Sequence, residues 1–169
     1  MSEISPDRLS RLLRERGPAL VLYARQWCRN PEDVVQEAFL QLVRESTAPE
    51  DEIPWLYRVV RHRALNAARS ATRRARHESA MASQNESWFV RTGAEQQAIV
   101  DASEALRQLP VDQREVIIAR LWGGLSLQEV ADLVGSSLST AYRRYLAGIE
   151  TLRDRLGAPC TQAKTNTEP

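Results

Sequence analysis

The stretch from Leu125 to Arg155, LSLQEVADLVGSSLSTAYRRYLAGIETLRDR, constrains the fold of this chain more than any other. Ser126 and Glu129 have the spacing of a capping box, which predicts that a helix begins there. Gly135 follows the apolar residues of that helix, and glycine adopts a left-handed turn without steric cost. The serines beyond it can cap a second helix: Ser136, Ser137 and Ser139. The pattern therefore predicts two helices joined by a sharp turn.

The second of these helices is basic near its start, where Tyr142, Arg143 and Arg144 occupy the first turns. A helix, a glycine turn and a basic second helix form the helix-turn-helix plan, whose second helix enters the DNA major groove. An ordinary helical hairpin with solvated arginines has the same pattern. The stretch alone therefore favours DNA binding without establishing it.

Helical periodicity continues through the rest of the chain. Apolar spacing and capping residues predict helices over residues 6–16, 18–28, 31 to at least 43, 54–76, 95–109 and 111–122. Gly17-Pro18 is expected to separate the first two, and Pro54 to open the fourth. Four residues of the last are expected to pack inward: Val116, Ile117, Ala119 and Leu121.

The domain organisation follows from a loss of periodicity between residues 77 and 94, where Ser, Asn and Gln accumulate. We predict an all-α protein of two small helical domains, at residues 5–76 and 95–156, joined by a polar linker over 77–94. The tail from 157 to 169 has no apolar face and is expected to be disordered. The two domains are expected to act as separate units on a flexible tether.

Several classes of protein are disfavoured by what the sequence lacks. No apolar run approaches the roughly 20 residues needed to cross a bilayer, and no secretory signal is visible, so we expect no membrane insertion. Cys28 and Cys160 lack metal-ligand spacing, which predicts reduced thiols in a cytoplasmic protein with no metal. No nucleotide-binding loop or catalytic triad is present, so we expect neither a cofactor nor an enzyme.

The net charge of +1 conceals a segregation of charge. Between Asn30 and Glu52 every charged residue except Arg44 is acidic, whereas between Trp55 and Arg76 every charged residue is basic. Local fields steer association more than net charge does. The acidic helix is a candidate docking surface for a basic partner, and the arginine helix a candidate for nucleic-acid backbone contact. Two solvated faces are the alternative.

Three segments in order resemble the extracytoplasmic-function (ECF) group of the sigma-70 family. Residues 30–40, NPEDVVQEAFL, are similar to its region 2.2, and residues 55–69 to its regions 2.3 and 2.4. Leu109-Pro110, residues 113–116 and residues 125–144 are similar to region 4. Each segment is a moderate signal, and all three at suitable spacing form a strong one. The resemblance implies a subunit that directs bacterial RNA polymerase to promoters.

The resemblance also implies where each partner binds. Region 2.2 binds the clamp helices of the polymerase β′ subunit, and this role maps onto Asp33, Gln36, Glu37 and Gln41. Regions 2.3 and 2.4 recognise and open the −10 promoter element, which maps onto Tyr57, Arg58, Arg61, His62, Asn66, Arg69 and Arg73. Region 4 contacts the β flap and reads the −35 element through Ser139, Thr140, Tyr142, Arg143 and Arg144. An anti-sigma factor is a further expected type of partner.

The chain departs from the family pattern at positions that bear on promoter sequence. His62 stands where asparagine is common and Asn66 where aspartate is common. Ser139, Ala141 and Tyr142 replace a frequent glycine, valine, and lysine or arginine. These departures leave the fold expectation intact and the promoter sequence open.

Three other functions compete with this interpretation. A stand-alone helix-turn-helix regulator leaves the acidic residues Asp33, Gln36 and Glu37 unexplained. A sigma-like decoy that binds polymerase but opens no DNA is consistent with the departures at His62 and Asn66. A nuclease would need more clustered carboxylates than Asp33 and Glu37 supply.

Overall fold

The computed structural model describes residues 4–77 and 103–157, and every regular element in these ranges is helical. The three N-terminal helices are α1 (Pro6–Ala24), α2 (Pro31–Arg44) and α3 (Glu52–His77). A short helical segment at 103–107 precedes α4 (Val111–Ile117), a π-helical turn (Ile118–Trp122), α5 (Leu127–Val134) and α6 (Leu138–Leu156). The all-α prediction is confirmed. Apart from His77 and Gly157, the predicted linker and tail lie outside the described residues.

Helix α1 runs unbroken through Gly17-Pro18, so the predicted break there is wrong. Ser5 caps the helix, since its hydroxyl accepts a hydrogen bond from the Arg8 amide in the first turn. Pro18 costs the helix one hydrogen bond. Packing outweighs this cost, because Leu12 and Leu20, on either side of the dipeptide, are both buried in the same core.

Helix α3 begins at Glu52, earlier than the predicted start at Pro54. The acidic side chain of Glu52 favours the first turn of a helix, where it faces the positive end of the helix dipole. Pro54 still lies in that first turn, where its missing N–H is not needed. The predicted continuation of this helix through the arginine-rich segment is confirmed.

The helix-turn-helix has the caps that its sequence predicts. Ser126 Oγ accepts a hydrogen bond from the Glu129 amide at 3.2 Å, and the Glu129 carboxylate accepts one from the Ser126 amide at 2.6 Å. Gly135 is left-handed, with φ of 68°. Ser137 is the serine that caps α6, because its Oγ accepts from the Thr140 amide at 3.1 Å. Local sequence therefore fixes this turn without help from distant residues.

The helix predicted over 111–122 changes from α to π geometry at Ile118. The Gly123 amide donates to the Ile118 carbonyl at 3.0 Å, which encloses one residue more than an α-helical turn. Positions beyond the widened turn are rotated about the helix axis. Leu121, within this turn, is 51% exposed, so its predicted inward packing is wrong, while Ile118 and Ala119 are buried.

A single hydrophobic core contains residues from both halves of the chain, including Tyr23 of α1, Tyr57 of α3 and Ile117 of α4. The rings of Tyr23 and Tyr57 meet edge to face with centroids 4.9 Å apart. Helix α1 contacts the π-helical turn, and α3 contacts α5. The described residues of the two predicted domains therefore pack against each other in this structure.

Candidate nucleic-acid interface

A cleft of about 910 Å³ lies between α2 and α3 and gathers several of the predicted −10 residues. Arg58, His62 and Asn66 succeed one another at helical spacing along α3, are exposed, and line this cleft. The Asn66 side-chain amide nitrogen is 3.2 Å from His62 Nε2. The half-buried indole of Trp55 lines the same cleft. The fold thus brings basic, amide and aromatic groups to one opening.

The opposite wall of the cleft is formed by α2, through Asp33, Glu37 and Gln41. Arg63 of α3 joins the two helices that form the cleft. Its Nη1 donates a hydrogen bond to Glu37 Oε2 at 2.6 Å, and its Nη2 donates one to Gln41 Oε1 at 2.9 Å. Two of the predicted polymerase-binding residues are therefore held by α3. Sequence reasoning missed Arg63 because its partners lie on another helix.

Gln36 lies on a different face of α2, beside an apolar groove of about 320 Å³ between α1 and α2. Leu13, Leu40 and Val43 line this groove, and each is about half exposed. The four predicted polymerase-binding residues are thus divided between two surfaces. A signal for the groove was present in the sequence, since Leu40 and Val43 follow Gln36 at helical spacing outside the buried stripe.

Tyr57 and Arg61, both predicted to contact the −10 element, do not line the cleft. Tyr57 is fully buried, so its expected place on the open side of α3 is wrong. Its ring lies between Tyr23 and Gly123, and a Cβ added to Gly123 would come within 2.7 Å of the Tyr57 hydroxyl. Arg61 is half-buried, and its Nε donates to Glu115 Oε1 at 2.6 Å. Helix α3 buries more of its circumference than the sequence predicted, because it packs against both the N-terminal helices and the C-terminal half of the chain.

The ionisation of these groups follows from their burial. Burial, together with the charge and hydrogen bond of Glu115, raises the pKa of Tyr23 well above its ordinary value. Burial likewise raises the pKa of Tyr57. Burial by itself would lower the pKa of Arg61, but the hydrogen bond and charge of Glu115 outweigh that effect and raise it. At neutral pH both tyrosines are therefore neutral and Arg61 is charged.

The residues predicted to read the −35 element come together on the first two turns of α6. Ser139, Tyr142 and Arg143 are exposed there. Thr140 is half-buried, and its hydroxyl accepts a hydrogen bond from Arg143 Nη2 at 3.4 Å. Arg144 is half-buried and forms an ion pair with Asp112 of α4 at 3.2 Å. The remaining predicted −10 residues are exposed farther along α3, namely Arg69 and Arg73.

Two sequence models of protein families match the chain. The model described as Sigma-70 region 2 matches residues 12–74, and that of Sigma-70, region 4 matches residues 99–152. The RNA polymerase sigma factor CarQ of Myxococcus xanthus is 32% identical over 166 residues, covering 89% of this chain and 90% of CarQ. The chain belongs to the sigma-70 family.

Other relatives place this sigma factor in the ECF group, as its residues predicted. It is 30% identical over 136 residues to the ECF RNA polymerase sigma factor SigD of Mycobacterium tuberculosis, covering 75% of this chain and 63% of SigD. Sigma factors direct RNA polymerase to promoters and are not enzymes, so both predictions are confirmed. Within the described ranges, no helix combines the length and apolarity that a membrane span requires.

Two solved structures share the fold. The sigma factor RpoE, solved in complex with the anti-sigma factor NepR from Bartonella quintana, matches with a TM-score of 0.66 and 21% identity, covering 92% of this chain and 100% of RpoE. CnrH, solved with the cytosolic domain of CnrY, matches with a TM-score of 0.60 and 21% identity, covering 92% of each chain. At this level of identity the likeness establishes the fold alone.

Proposed function

We propose that this sigma factor uses three separate surfaces to start transcription in the cytoplasm. The groove beside Gln36 binds core RNA polymerase, the cleft face of α3 holds the opened −10 strand, and the start of α6 reads the −35 element. The observation that supports this division is the cleft itself, which gathers Arg58, His62 and Asn66 on one exposed face. The working units in this proposal are residues 5–76 and 95–156, joined by 77–94 and followed by the tail 157–169.

The polymerase surface is proposed to be the apolar groove between α1 and α2. Exposed apolar patches rimmed by polar groups are typical of protein–protein interaction sites. Leu13, Leu40 and Val43 provide the patch, while Gln36 and Glu32 line the same groove as polar groups. This arrangement suits a helix of the β′ clamp laid in the groove with its apolar side inward.

Glu37 and Gln41 have a different part in this proposal. Both are hydrogen-bonded to Arg63, so they fix α3 against α2. Asp33 lines the same cleft, beyond this bonded pair. Because α2 and α3 are bonded to each other, a polymerase that binds α2 would also fix the position of the −10 surface of α3.

The −10 surface combines backbone contact with base contact. Arg58, Arg69 and Arg73 are exposed along α3 and suit the phosphates of a single strand. His62 and Asn66 offer hydrogen-bond donors and acceptors to a base edge at the cleft. Opening the promoter then needs no hydrolysis, because the subunit binds the separated strand better than the duplex.

The −35 surface is the first two turns of α6. The second helix of a helix-turn-helix places its N-terminal residues against base edges. Arg143 is suited to guanine or phosphate, and Tyr142 to a thymine methyl group. Elsewhere the C-terminal unit is proposed to contact the β flap of polymerase. An anti-sigma factor is proposed as a regulator, as RpoE has NepR.

Run-off transcription with core polymerase tests the proposal. We expect promoter-specific transcripts from the wild-type subunit and their loss in Leu40→Glu, because a charge in the groove opposes docking. The matched control is Leu156→Glu, which makes the same change at an exposed leucine at the end of α6. Polymerase binding without transcripts would instead identify a decoy. Specific duplex binding that never requires polymerase would identify a stand-alone regulator.

A further inference from the structure

The contact between the two halves is built around one buried carboxylate. Glu115 of α4 is 5% exposed. Tyr23 of α1 donates its hydroxyl to Glu115 Oε1 at 2.5 Å, and Arg61 of α3 donates its Nε to the same oxygen at 2.6 Å. These partners are 92 and 54 residues away in sequence, so the two bonds tie both α1 and α3 to α4.

Further polar contacts surround this carboxylate. Arg114, next to Glu115 on α4, donates its Nε to Gln26 Oε1 at 3.3 Å. Arg16 Nη1 lies 3.5 Å from the Gly123 carbonyl oxygen. The interface is therefore held by directional bonds in addition to apolar packing, which gives it a defined geometry.

One feature of the interface opposes its closure. The hydroxyl of Tyr57 is buried and has no hydrogen-bond partner among the described residues. A buried hydroxyl without a partner disfavours the state that buries it. Separation of the two halves would return this hydroxyl to water or to a ligand. The bonds of Glu115 therefore stabilise the contact between the two halves, whereas the buried hydroxyl of Tyr57 destabilises it.

We propose that this interface is an intramolecular latch, in which the Glu115 carboxylate occupies the position on Arg61 that a DNA phosphate would take. The bond of Arg61 to Glu115 is of the charge-assisted kind that arginine also forms with phosphate. While the latch is closed, Arg61 is engaged and Tyr57 is covered, so the free subunit binds −10 DNA through the exposed cleft face alone and less tightly than the open form does. The proposal rests on the proposed function in placing the −10 strand on α3, and it adds Arg61 and Tyr57, which lie outside the cleft, to the residues that contact this strand.

Small-angle X-ray scattering of the free full-length chain tests the closure without DNA. Glu115→Ala removes both bonds and is expected to increase the radius of gyration. The control, Glu104→Ala, removes an exposed carboxylate whose ion pair with Arg107 lies within one segment, and is expected to leave the radius unchanged. Tyr23→Phe keeps the ring and removes only the hydroxyl bond, so it should open the chain to a smaller extent. An unchanged radius in a helical, folded Glu115→Ala would overturn the latch.

Binding of a single-stranded −10 oligonucleotide tests the consequence. Opening raises the fraction of binding-competent subunits, so the affinity of Glu115→Ala should rise about tenfold. An expanded variant with wild-type affinity would overturn the claim that the interface withholds Arg61 and Tyr57 from the −10 strand. Adding Arg61→Ala to Glu115→Ala is expected to remove the gain. If affinity stays high in that double variant, Arg61 does not contact this strand and its assignment fails. Scattering still decides whether the latch exists, and run-off transcription still decides the proposed function.

Discussion

Arg58 and Arg61 are neighbours along α3, yet the structure gives them opposite circumstances. Arg58 is exposed at an open cleft, whereas Arg61 is half-buried and bonded to Glu115. In the sequence both belong to the same run of basic residues. The difference teaches that a basic run predicts capacity for nucleic acid, while tertiary contacts decide which members of the run are available.

The largest expected difference between these arginines is in stability. Arg61→Met keeps the apolar stem but leaves the buried Glu115 without its cation, and we expect a loss of about 1–3 kcal/mol in the free energy of unfolding. Arg58→Met, the matched change at the exposed position, should lie within about 0.5 kcal/mol of wild type. Urea unfolding measures both. Equal losses of unfolding free energy in the two variants would contradict the proposed difference between Arg58 and Arg61.

The same two variants differ in DNA binding by the free subunit. Arg58→Met should weaken binding of a −10 oligonucleotide about tenfold, near 1.4 kcal/mol, because an available phosphate contact is lost. Arg61→Met should change affinity less, since the lost contact and the released latch oppose each other. Fluorescence anisotropy at fixed salt measures both affinities. A greater loss for Arg61→Met would contradict the availability argument.

The buried Tyr23 of α1, whose ring packs against Tyr57 of α3, also predicts a dependence on alkaline pH. Because the folded-state pKa of Tyr23 is raised, the unfolded chain loses this proton first as pH passes the ordinary tyrosine value near 10. Stability contributed by Tyr23 is thus present below that value and lost above it, by about 1 kcal/mol between pH 10 and 11. Tyr23→Phe should flatten this fall, and Tyr142→Phe, at an exposed position, should not. Unfolding titrations at both pH values test this.

The smallest expected effect is on polymerase binding, and it concerns two neighbouring residues of α2, one available to a partner and one already bonded. Gln36 lies at the apolar groove, whereas Glu37 is held by Arg63. Gln36→Ala should weaken binding to core polymerase a few-fold, by about 1 kcal/mol, through loss of one interfacial hydrogen bond. Glu37→Ala should weaken it less, since a partly exposed ion pair contributes little. Competition binding to core polymerase ranks the two, and the reverse order would place the docking surface at the cleft.

The features that sequence predicted correctly are those decided within a few residues. The capping box of Ser126 and Glu129, the left-handed Gly135 and the cap at Ser137 depend only on their neighbours. The cluster of Arg58 and His62 likewise follows from spacing on one helix. Local physical chemistry is sufficient for such features.

The features that sequence missed depend on distant partners. Tyr57 is buried because α3 packs against both α1 and the C-terminal half, and no local pattern reports the second contact. The continuity of α1 through Pro18 depends on burial of leucines on both sides of it. The bonds of Glu115 cross 92 and 54 residues of sequence. Each error arose where tertiary packing overrode a local preference.

The π-helical turn at Ile118–Trp122 contains one residue more than an α-helical turn would. It lies between α4, which carries Glu115, and the helix-turn-helix formed by α5 and α6. Each residue of an α-helix advances the chain by about 100° around the axis. Deleting the additional residue would leave the sequence of α6 untouched and rotate the residues that follow it in the turn by about that angle. A single-codon deletion there would thus change how the chain leaves α4 without altering a side chain that is proposed to contact bases.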